Sequence, residues 1–282
     1  MIGQRFHRDG DFNACPGDPT PARGGSYRNG WLAWGAHLLG AYHLSEPALD
    51  RLEKSLHPDF GGVPDVFGAD EKSREYDAGS AARPINALLA CGRPAAALRA
   101  GAFLKSLYDR QAAGSGRVLL RADADGALID PRARGMTEGV EVYGFEVAKP
   151  AQTYWFLGYS LRVLARLHRV TRDPAWLETA ERIRGWLGRS HSDLYCHITN
   201  GKVAWGSAEM YAETGLPAWA DLSQRIARWV TEQQGEDGIW VRRTQYASAE
   251  QQPLPVSIDT SIERMFYMID IPRALAARDA QP

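Results

Sequence analysis

Thr171-Arg-Asp-Pro-Ala-Trp176 and Thr214-Gly-Leu-Pro-Ala-Trp219 share the pattern T-x-x-P-A-W. The match continues downstream, because an Arg-Ile pair and then a Trp follow at the same offsets in both copies. Weaker copies begin at Pro47, Pro94 and Pro272. A period of roughly 40–50 residues is typical of repeat proteins, in which each unit is one supersecondary element that buries its apolar face against the next.

The proline in each copy predicts a helix start, because proline is tolerated at the first helical position, where its missing N–H would be unpaired anyway. Each copy therefore marks the second helix of a helical hairpin. Ser45 and Asp173 are expected as N-caps, and Gly92 and Gly215 as helix-ending glycines. The predicted hairpins and the last helix are 29–43 with 46–56, 80–91 with 93–110, 150–169 with 173–189, 200–215 with 217–234, and 257–278.

The two helices of a hairpin differ in composition. The first helices are rich in Gly, Ala and aromatic residues, as in Trp31–His37 and Tyr154–Tyr159, whereas second helices such as 177–186 carry charge on one face. A helix that is apolar around most of its surface is a buried one. The pattern predicts an inner ring of helices inside an outer ring: an all-α fold of the α/α-toroid type, with about five to six hairpins in a single domain that covers residues 1–282.

An insertion at about residues 112–148 interrupts the repeat. Within it, the segment 117–130 predicts a small β-hairpin of two short strands around the turn Asp125-Gly126. Insertions in repeat proteins lie in loops on one face, which is often the binding face.

The amino-acid composition and charge argue against some classes of binding partner and location. The 33 basic and 34 acidic residues are nearly balanced, so no basic footprint indicates a nucleic acid. No apolar run reaches the roughly 18 residues expected of a membrane span, and the N-terminal residues lack the apolar core of a signal peptide. Three cysteines are an odd number that argues against a disulfide framework. We expect a cytoplasmic protein that acts on a small-molecule substrate without a cofactor.

The segment Trp229-Val-Thr-Glu-Gln-Gln234-Gly-Glu-Asp-Gly238-Ile-Trp240 resembles the QW motif of the squalene-type terpene cyclases, whose superfamily includes protein prenyltransferases. The resemblance implies a toroid in which the motif ties an outer helix to the turn after it. The glutamine would bond helix-end backbone groups while the tryptophan packs over them. The sequence departs from the family, because it contains neither D-x-D-D nor D-D-x-x-D, the motifs that carry the family's chemistry.

A second resemblance lies in the middle of the chain. Gln152–Tyr159, the stretch Leu164–His168 and the Thr-x-Asp-Pro repeat are similar to carbohydrate-active α/α barrels. Those proteins include epimerases, glycoside hydrolases and polysaccharide lyases.

Four residues are predicted to carry catalysis, from loops that we expect around the mouth of a central cavity. His197 precedes a predicted helix, and an imidazole exchanges protons near neutral pH. Asp65 and Asp77 belong to the most acidic stretch, where crowded carboxylates can have separated pKa values. Glu141 stands near the end of the insertion, before a predicted inner helix. Each residue also has a structural explanation. His197 would bond a loop carbonyl, Asp65 and Asp77 would belong to a solvated acidic loop, and Glu141 would belong to a half-buried strand.

Aromatic and polar residues from the same loops are predicted to bind the substrate, since aromatic faces stack on sugars or stabilise carbocations. Asp259 and Glu263 are one helical turn apart and share a face, although Asp259 could equally cap the last helix. The structural alternative for the aromatic residues is the core. The predicted substrate-binding residues are Tyr27, Trp31, Tyr76, Tyr143, Gln152, Trp155, Tyr195, Trp205 and Asp259.

Cys91, Cys196 and His197 invite comparison with the lanthionine synthetase C proteins, zinc-binding α-toroids. Cys91 lacks that family's Trp-Cys context, and no glycine follows Cys196-His197. A tetrahedral zinc site needs three protein ligands within reach of one point. We therefore predict no metal site.

Two enzymatic hypotheses follow. The first is acid–base cyclisation or isomerisation of a small, largely apolar substrate, as in a terpenoid or polyketide cyclase, with Asp77 or His197 as the proton-transferring group. The second is a sugar-active epimerase, lyase or glycoside hydrolase of the α/α-barrel type. A non-enzymatic binding module is the third possibility, because a fold does not fix a function.

Overall fold

A computed structural model of the chain describes residues 11, 25–67, 69–112, 114–242 and 245–279. These ranges contain nine α-helices and four short β-strands. The helices are α1 Gly25–Leu38, α2 Tyr42–Lys54, α3 Ala78–Ala90, α4 Pro94–Asp109, α5 Trp155–Thr171, α6 Ala175–Leu187, α7 Gly201–Thr214, α8 Pro217–Glu232 and α9 Leu254–Asp279. The strands are β1 Tyr76–Asp77, β2 Arg117–Leu119, β3 Arg121–Ala122 and β4 Gly144–Glu146. The chain divides into two compact units, Met1–Glu146 and Val147–Pro282.

The helical hairpins form where the repeat predicts them, within a few residues at each end. Gly92 and Gly215 follow α3 and α7 with φ values of +78° and +71°, the left-handed conformation that suits glycine. The N-cap of α6 is Pro174, one residue after the predicted Asp173, whose side chain nevertheless accepts a hydrogen bond from the N–H of Ala175 at 2.9 Å. The prediction for Ser45 is wrong: α2 begins at Tyr42, and Ser45 is buried inside it.

The first unit is built from two hairpins. α1 packs against α3, while α2 covers α1 and α4 covers α3. The two central helices approach through Gly30, where a Cβ atom would lie 2.9 Å from the backbone of Arg83 and Pro84. Only glycine permits so close an approach without a shift of the backbone.

The second unit repeats this plan with one helix more. α7 packs between α5 and α9, α6 covers α5, and α8 covers α7. Eleven of the 17 residues of α5 are buried, against four of the 16 residues of α8, which matches the expected difference between inner and outer helices. Gly158 and Gly206 bring α5 and α7 together, since a Cβ atom on either would overlap the backbone of the other helix.

The insertion forms the predicted Asp-Gly turn, but β2 and β3, the strands of the predicted hairpin, pair mainly with strands other than each other. The N–H of Gly126 donates to the carbonyl of Asp123 at 3.0 Å, and Ala122 bridges Leu128 across the turn. The longer ladders pair β1 with β3 and β2 with β4, both antiparallel. The pairing of β1 with β3 places Asp77 opposite Arg121, at the start of α3.

The segment 230–240 connects the end of α8 to the next turn, but Gln234 and Trp240 do not have the roles that the QW resemblance implies. The Trp240 indole N–H donates to the carbonyl of Val230 at 2.7 Å, so the tryptophan, not the glutamine, satisfies the helix end. Gln234 instead donates to the carbonyl of Gly238 within the turn, at 3.0 Å. These contacts are local and assign the chain to no family.

Among the described residues, every helix is too short or too polar to span a lipid bilayer.

Candidate functional site

The first unit holds a buried ionic network, which we call the Asp65–Arg121 cluster. Arg121 Nη1 lies 2.9 Å from Asp65 Oδ2 and 3.2 Å from Glu75 Oε2, and its Nη2 lies 3.6 Å from Asp77 Oδ2. Asp65, Asp77 and Arg121 are each no more than 4 % exposed. The members of the cluster are Asp65, Glu75, Asp77, Ser80, Arg121 and Tyr143.

Asp77 is fully occupied by this network and by the helix that follows it. Its Oδ1 accepts from the N–H groups of Gly79 and Ser80 at 2.7 and 2.8 Å, so it is the N-cap of α3. The Ser80 hydroxyl donates to Asp77 Oδ2 at 2.7 Å and lies 3.1 Å from Asp65 Oδ1. Burial raises the pKa of Asp77 above its ordinary value, against the opposing charge of Arg121. These contacts make Asp77 both the N-cap of α3 and a member of a buried ion pair.

The other predicted residues of the first unit are dispersed. Tyr143 donates its hydroxyl to Glu75 at 2.8 Å and so joins the cluster, while Tyr76 is a core residue whose ring lies 5.0 Å from that of Phe60. Glu141 lies on the exposed turn Val140–Val142, outside the residues that define the cluster.

Tyr27 and Trp31 flank one buried arginine. The Arg83 guanidinium lies 3.7 Å from the Tyr27 ring centre and 4.4 Å from that of Trp31, and Arg83 Nη2 donates to the Tyr27 hydroxyl at 2.6 Å. The two aromatic residues therefore form cation–π contacts with the buried Arg83 of α3.

The second unit holds a different arrangement, the Lys202–Glu263 cluster. Lys202 Nζ lies 2.7 Å from Glu263 Oε2, and Glu263 Oε1 accepts from the hydroxyls of Tyr159 and Tyr267 at 3.0 and 2.7 Å. Lys202 is 7 % exposed and both tyrosines are buried. The members of the cluster are Tyr159, Lys202, Glu263, Arg264 and Tyr267.

Three parallel helices position this cluster. Tyr159 lies in the second turn of α5, Lys202 in the first turn of α7, and Glu263 on the neighbouring α9. The contact of Gly158 with the Lys202 backbone fixes the register of α5 against α7. The half-buried Glu263 carboxylate has three donors around it, so its charge and that of the buried Lys202 are paired.

His197 stands beside this cluster. It is half-buried, and burial lowers its pKa below the ordinary value; Asp193 opposes this shift, whereas the positive charges of Arg264 and Lys202 add to it. The imidazole is therefore neutral at pH 7. Its Nδ1 lies 2.8 Å from the Thr199 hydroxyl and accepts the backbone N–H of Thr199 at 3.4 Å, so this nitrogen acts as an acceptor in the loop.

The remaining predicted residues of the second unit take other positions. Trp205 is buried, with its indole N–H 3.1 Å from Asp270, and Trp155 stacks on Phe156. The Tyr195 ring lies under the Arg225 guanidinium at 3.5 Å, and Gln152 donates to the carbonyl of Pro150 at 2.8 Å. Asp259 lies on the surface, 69 % exposed, 2.6 Å from Arg242, and it does not cap α9, which begins at Leu254.

The cysteines that suggested zinc lie in different units. Cys91 follows α3, where burial raises the pKa of its thiol to about 11, and Cys196 is exposed beside His197. Across the described ranges, no group of three His, Cys, Asp or Glu side chains is arranged to hold a metal ion.

Sequence reasoning missed part of the Lys202–Glu263 cluster. From the sequence, Glu263 is placed only as a neighbour of Asp259 on one helix face, and no role is assigned to Lys202. The signal that could have found them is a pair of opposite charges on two predicted inner helices that are otherwise apolar. The buried tyrosine Tyr267 has no such signal.

Comparison with known proteins supports the fold class. No protein-family model matches the chain, and no curated protein sequence is significantly similar to it. An α-mannanase of glycoside hydrolase family GH76 from Bacteroides thetaiotaomicron is similar in structure, with a TM-score of 0.61 and 13 % identity over 92 % of this chain and 73 % of that one. A D-mannose isomerase has a TM-score of 0.62 and 10 % identity over 86 % of this chain and 71 % of that one. Both have α/α-barrel folds, so the predicted class, an all-α toroid with a small β-hairpin insertion, is confirmed.

Proposed function

We propose that the protein is a sugar-active isomerase or epimerase, which moves a proton between carbon atoms of an aldose or ketose. The observation that carries the proposal is the neutral His197 beside the Lys202–Glu263 cluster. The two structurally similar enzymes support the choice of substrate class, since one acts on mannose and the other is a mannanase. At such low identity this support is an analogy of fold.

The chemistry requires one group that exchanges a proton and others that stabilise negative charge. In isomerisation, His197 would take the proton from the carbon next to the sugar carbonyl and return it to the carbonyl carbon, while the hydroxyl proton of the carbon next to the carbonyl passes to the carbonyl oxygen. In epimerisation the proton would return to the carbon that lost it, from the opposite face. Negative charge develops on the carbonyl oxygen as the proton leaves. Lys202 and Arg264, whose charges already act on His197, would stabilise that oxygen.

Glu263 has a supporting part in this proposal. It pairs with Lys202 at 2.7 Å and accepts from two tyrosine hydroxyls. A carboxylate with three donors is held in one orientation, and it fixes the ammonium group in turn. Lys202 is then preorganised for charge that appears only in the transition state.

The charge of the cluster argues against the cyclase hypothesis. A carbocation would be destabilised by the cations of Lys202 and Arg264, whereas an anionic intermediate would be stabilised. A glycoside hydrolase needs two carboxyl groups about 5–10 Å apart with access to the sugar. Asp65 and Asp77 are close together but share the Ser80 hydroxyl and the buried Arg121.

The test is proton exchange in D₂O with D-mannose and other aldoses, followed by NMR. We expect deuterium at the carbon next to the carbonyl and formation of an isomeric sugar. His197→Asn keeps an acceptor for the loop but cannot shuttle a proton, so it should lower the rate by about 10²–10⁴-fold. Because the neutral imidazole is the active form and its pKa is lowered, the acidic limb of kcat/KM should lie below about pH 6.5.

The matched control is His191→Asn, which changes an exposed histidine of the same loop and should leave the rate unchanged. Hydrolysis of mannan oligosaccharides without deuterium exchange would replace the proposal with a hydrolase. Equal rates in the two histidine variants would remove His197 from the mechanism.

A further inference from the structure

The last helix, α9, exposes a stripe of large apolar side chains, whose exposed fractions lie between 47 % and 72 %. Successive members are four, four, three and four positions apart, so at about 100° per residue they share an arc of about 80° on the helix. Every residue of this arc between positions 254 and 272 is apolar. We call the exposed residues the α9 stripe: Leu254, Ile258, Ile262, Met265 and Ile269.

The opposite face of α9 is buried, and it is the more polar of the two. α9 packs against α7, and the Tyr267 ring lies against Gly201 at the start of α7. The centre of the buried face is about 140° around the helix from the centre of the α9 stripe, so this contact does not cover the stripe. Surface helices usually turn their apolar side inward, and a contiguous apolar patch that faces outward marks an interaction site. The residues of the buried face are Ser257, Thr260, Arg264, Tyr267 and Ile271.

The spacing of the α9 stripe is typical of a face that packs against another helix. From Ile258 to Ile269 its members are four, three and four positions apart, which is the alternation of the apolar positions in a coiled-coil seam. Such side chains insert between those of a facing helix. The stripe is about 22 Å long, at 1.5 Å per residue, so a facing helix of similar length would cover it.

The α9 stripe is also symmetric about its middle residue. Leu254 and Ile269 are eight and seven positions from Ile262, on either side. Ile258 and Met265 are four and three positions from it. Two antiparallel copies of α9, related by a twofold axis beside Ile262, therefore place each large apolar side chain against another. An interface between identical chains requires this kind of self-complementarity.

The charges near the two ends of α9 favour the same orientation. Arg273 is exposed eleven positions after Ile262, and Glu250 is exposed in the turn before the helix, twelve positions before Ile262. Antiparallel packing brings Arg273 of each copy near the level of Glu250 of the other copy, whereas parallel packing would bring like charges together. The dipoles of antiparallel helices also attract each other.

The exposed area suits a reversible association. Five side chains that are about half exposed offer on the order of 500 Å² per copy, so a pair would bury about 1,000 Å², near the lower limit of specific interfaces. A lipid surface fits this face less well, because helices that lie in a membrane interface carry Lys and Arg beside their apolar side. The stretch 254–272 contains one basic residue, the buried Arg264.

We propose that the α9 stripe is the interface of a homodimer, in which the α9 helices of two copies pack antiparallel about Ile262. The partner is thus a second copy of this chain. The proposal does not depend on the isomerase activity, because no residue of the stripe belongs to the Lys202–Glu263 cluster.

The test is sedimentation equilibrium of the full chain, at concentrations that span a Kd of roughly 1–100 µM, the range expected for an interface of this size. Ile262→Lys places two ammonium groups together at the twofold axis and should raise the Kd at least about tenfold. The matched control is Val170→Lys on α5, because Val170 is 55 % exposed and Ile262 is 56 % exposed. It should leave the Kd within about twofold, and circular dichroism should show that both variants fold. A chain that stays monomeric throughout, or equal effects of the two variants, would overturn the proposal.

Cysteine cross-linking tests the orientation of the two helices. A disulfide requires Cα atoms within about 7 Å, so Ile262→Cys should cross-link to itself under mild oxidation. The Leu254→Cys positions would be more than about 20 Å apart in antiparallel helices and should not cross-link. The unsubstituted chain under the same oxidant measures the background from the native cysteines. Cross-linking through Leu254→Cys alone would contradict the antiparallel pair. Binding of a monomer to phosphatidylserine vesicles, abolished by Ile262→Lys, would replace the second copy with a lipid surface.

Discussion

Asp77 shows how one carboxylate can combine two structural tasks at the residue scale. Its Oδ1 caps α3, and its Oδ2 lies beside Ser80 and Arg121 in a site where it is 3 % exposed. The sequence indicated the acidic stretch but not its partner, because Arg121 is 44 positions further along the chain. Long-range pairing of this kind depends on how strands meet, which local patterns do not encode.

Replacement of Asp77 by Ala should therefore reduce stability more than the loss of a cap alone. We expect the free energy of unfolding to fall by about 2–4 kcal/mol, because a cap contributes about 1 kcal/mol and hydrogen bonds to charged groups about 1.5–3 kcal/mol. Asp173→Ala removes an exposed carboxylate that accepts the N–H of the first residue of α6 but forms part of no buried ion pair, and it should cost about 1 kcal/mol. Urea unfolding of both variants measures the difference. Equal losses would mean that the ion pair contributes nothing.

The candidate site was only partly predictable from single residues. His197 was predicted because an imidazole before a helix is a recognisable pattern, and its place as a catalytic group stays a prediction. Asp259 and Glu141 share the same polar signal but lie on the surface. Burial, which distinguishes these cases, depends on neighbours that residue type does not reveal.

At the scale of the element, the repeat predicts helices better than it predicts their ends. Pro94 and Pro217 begin α4 and α8, as the motif implies. Pro47 and Pro272 lie inside α2 and α9, because those helices start earlier and tolerate an internal proline. The strands of the insertion were expected to pair with each other, yet the longer ladders join β1 to β3 and β2 to β4.

The close approach of α1 and α3 gives a sharp test at this scale. Gly30→Ala places a Cβ atom 2.9 Å from backbone atoms of α3, so we expect a loss of about 1–3 kcal/mol in the free energy of unfolding. Gly35→Ala is the matched control in the same helix, where a Cβ atom meets nothing within 4 Å. It should stabilise by up to about 1 kcal/mol through helix propensity. If both variants are stabilised, the two helices are further apart than described.

At the scale of the whole molecule, the fold class was predictable because it depends on a repeated pattern rather than on any one contact. The period, the helix-starting prolines and the buried first helices all indicate the same architecture. The function was less predictable from the sequence. The QW-like segment, which suggested a terpene cyclase, only connects the end of α8 to the next turn through the Trp240–Val230 hydrogen bond. The two proteins of similar structure are instead a mannanase and a mannose isomerase. The prediction of one domain has not been tested.

Denaturant unfolding can test that prediction. Seven of the nine tryptophans follow residue 146, so their fluorescence reports mainly on the second unit, while far-ultraviolet circular dichroism reports helices throughout the chain. For a single cooperative domain the two transitions should coincide. A dichroism change that precedes or follows the fluorescence change would show that the units unfold separately.

The exposed thiol of Cys196 has a practical consequence. It adjoins His197, whereas the thiol of Cys91 has its pKa raised to about 11 and is mostly unreactive at neutral pH. With Cys15 replaced by serine, a maleimide dye would attach selectively next to the proposed proton-transferring histidine. Its fluorescence would then provide an optical readout of sugar binding that requires no turnover.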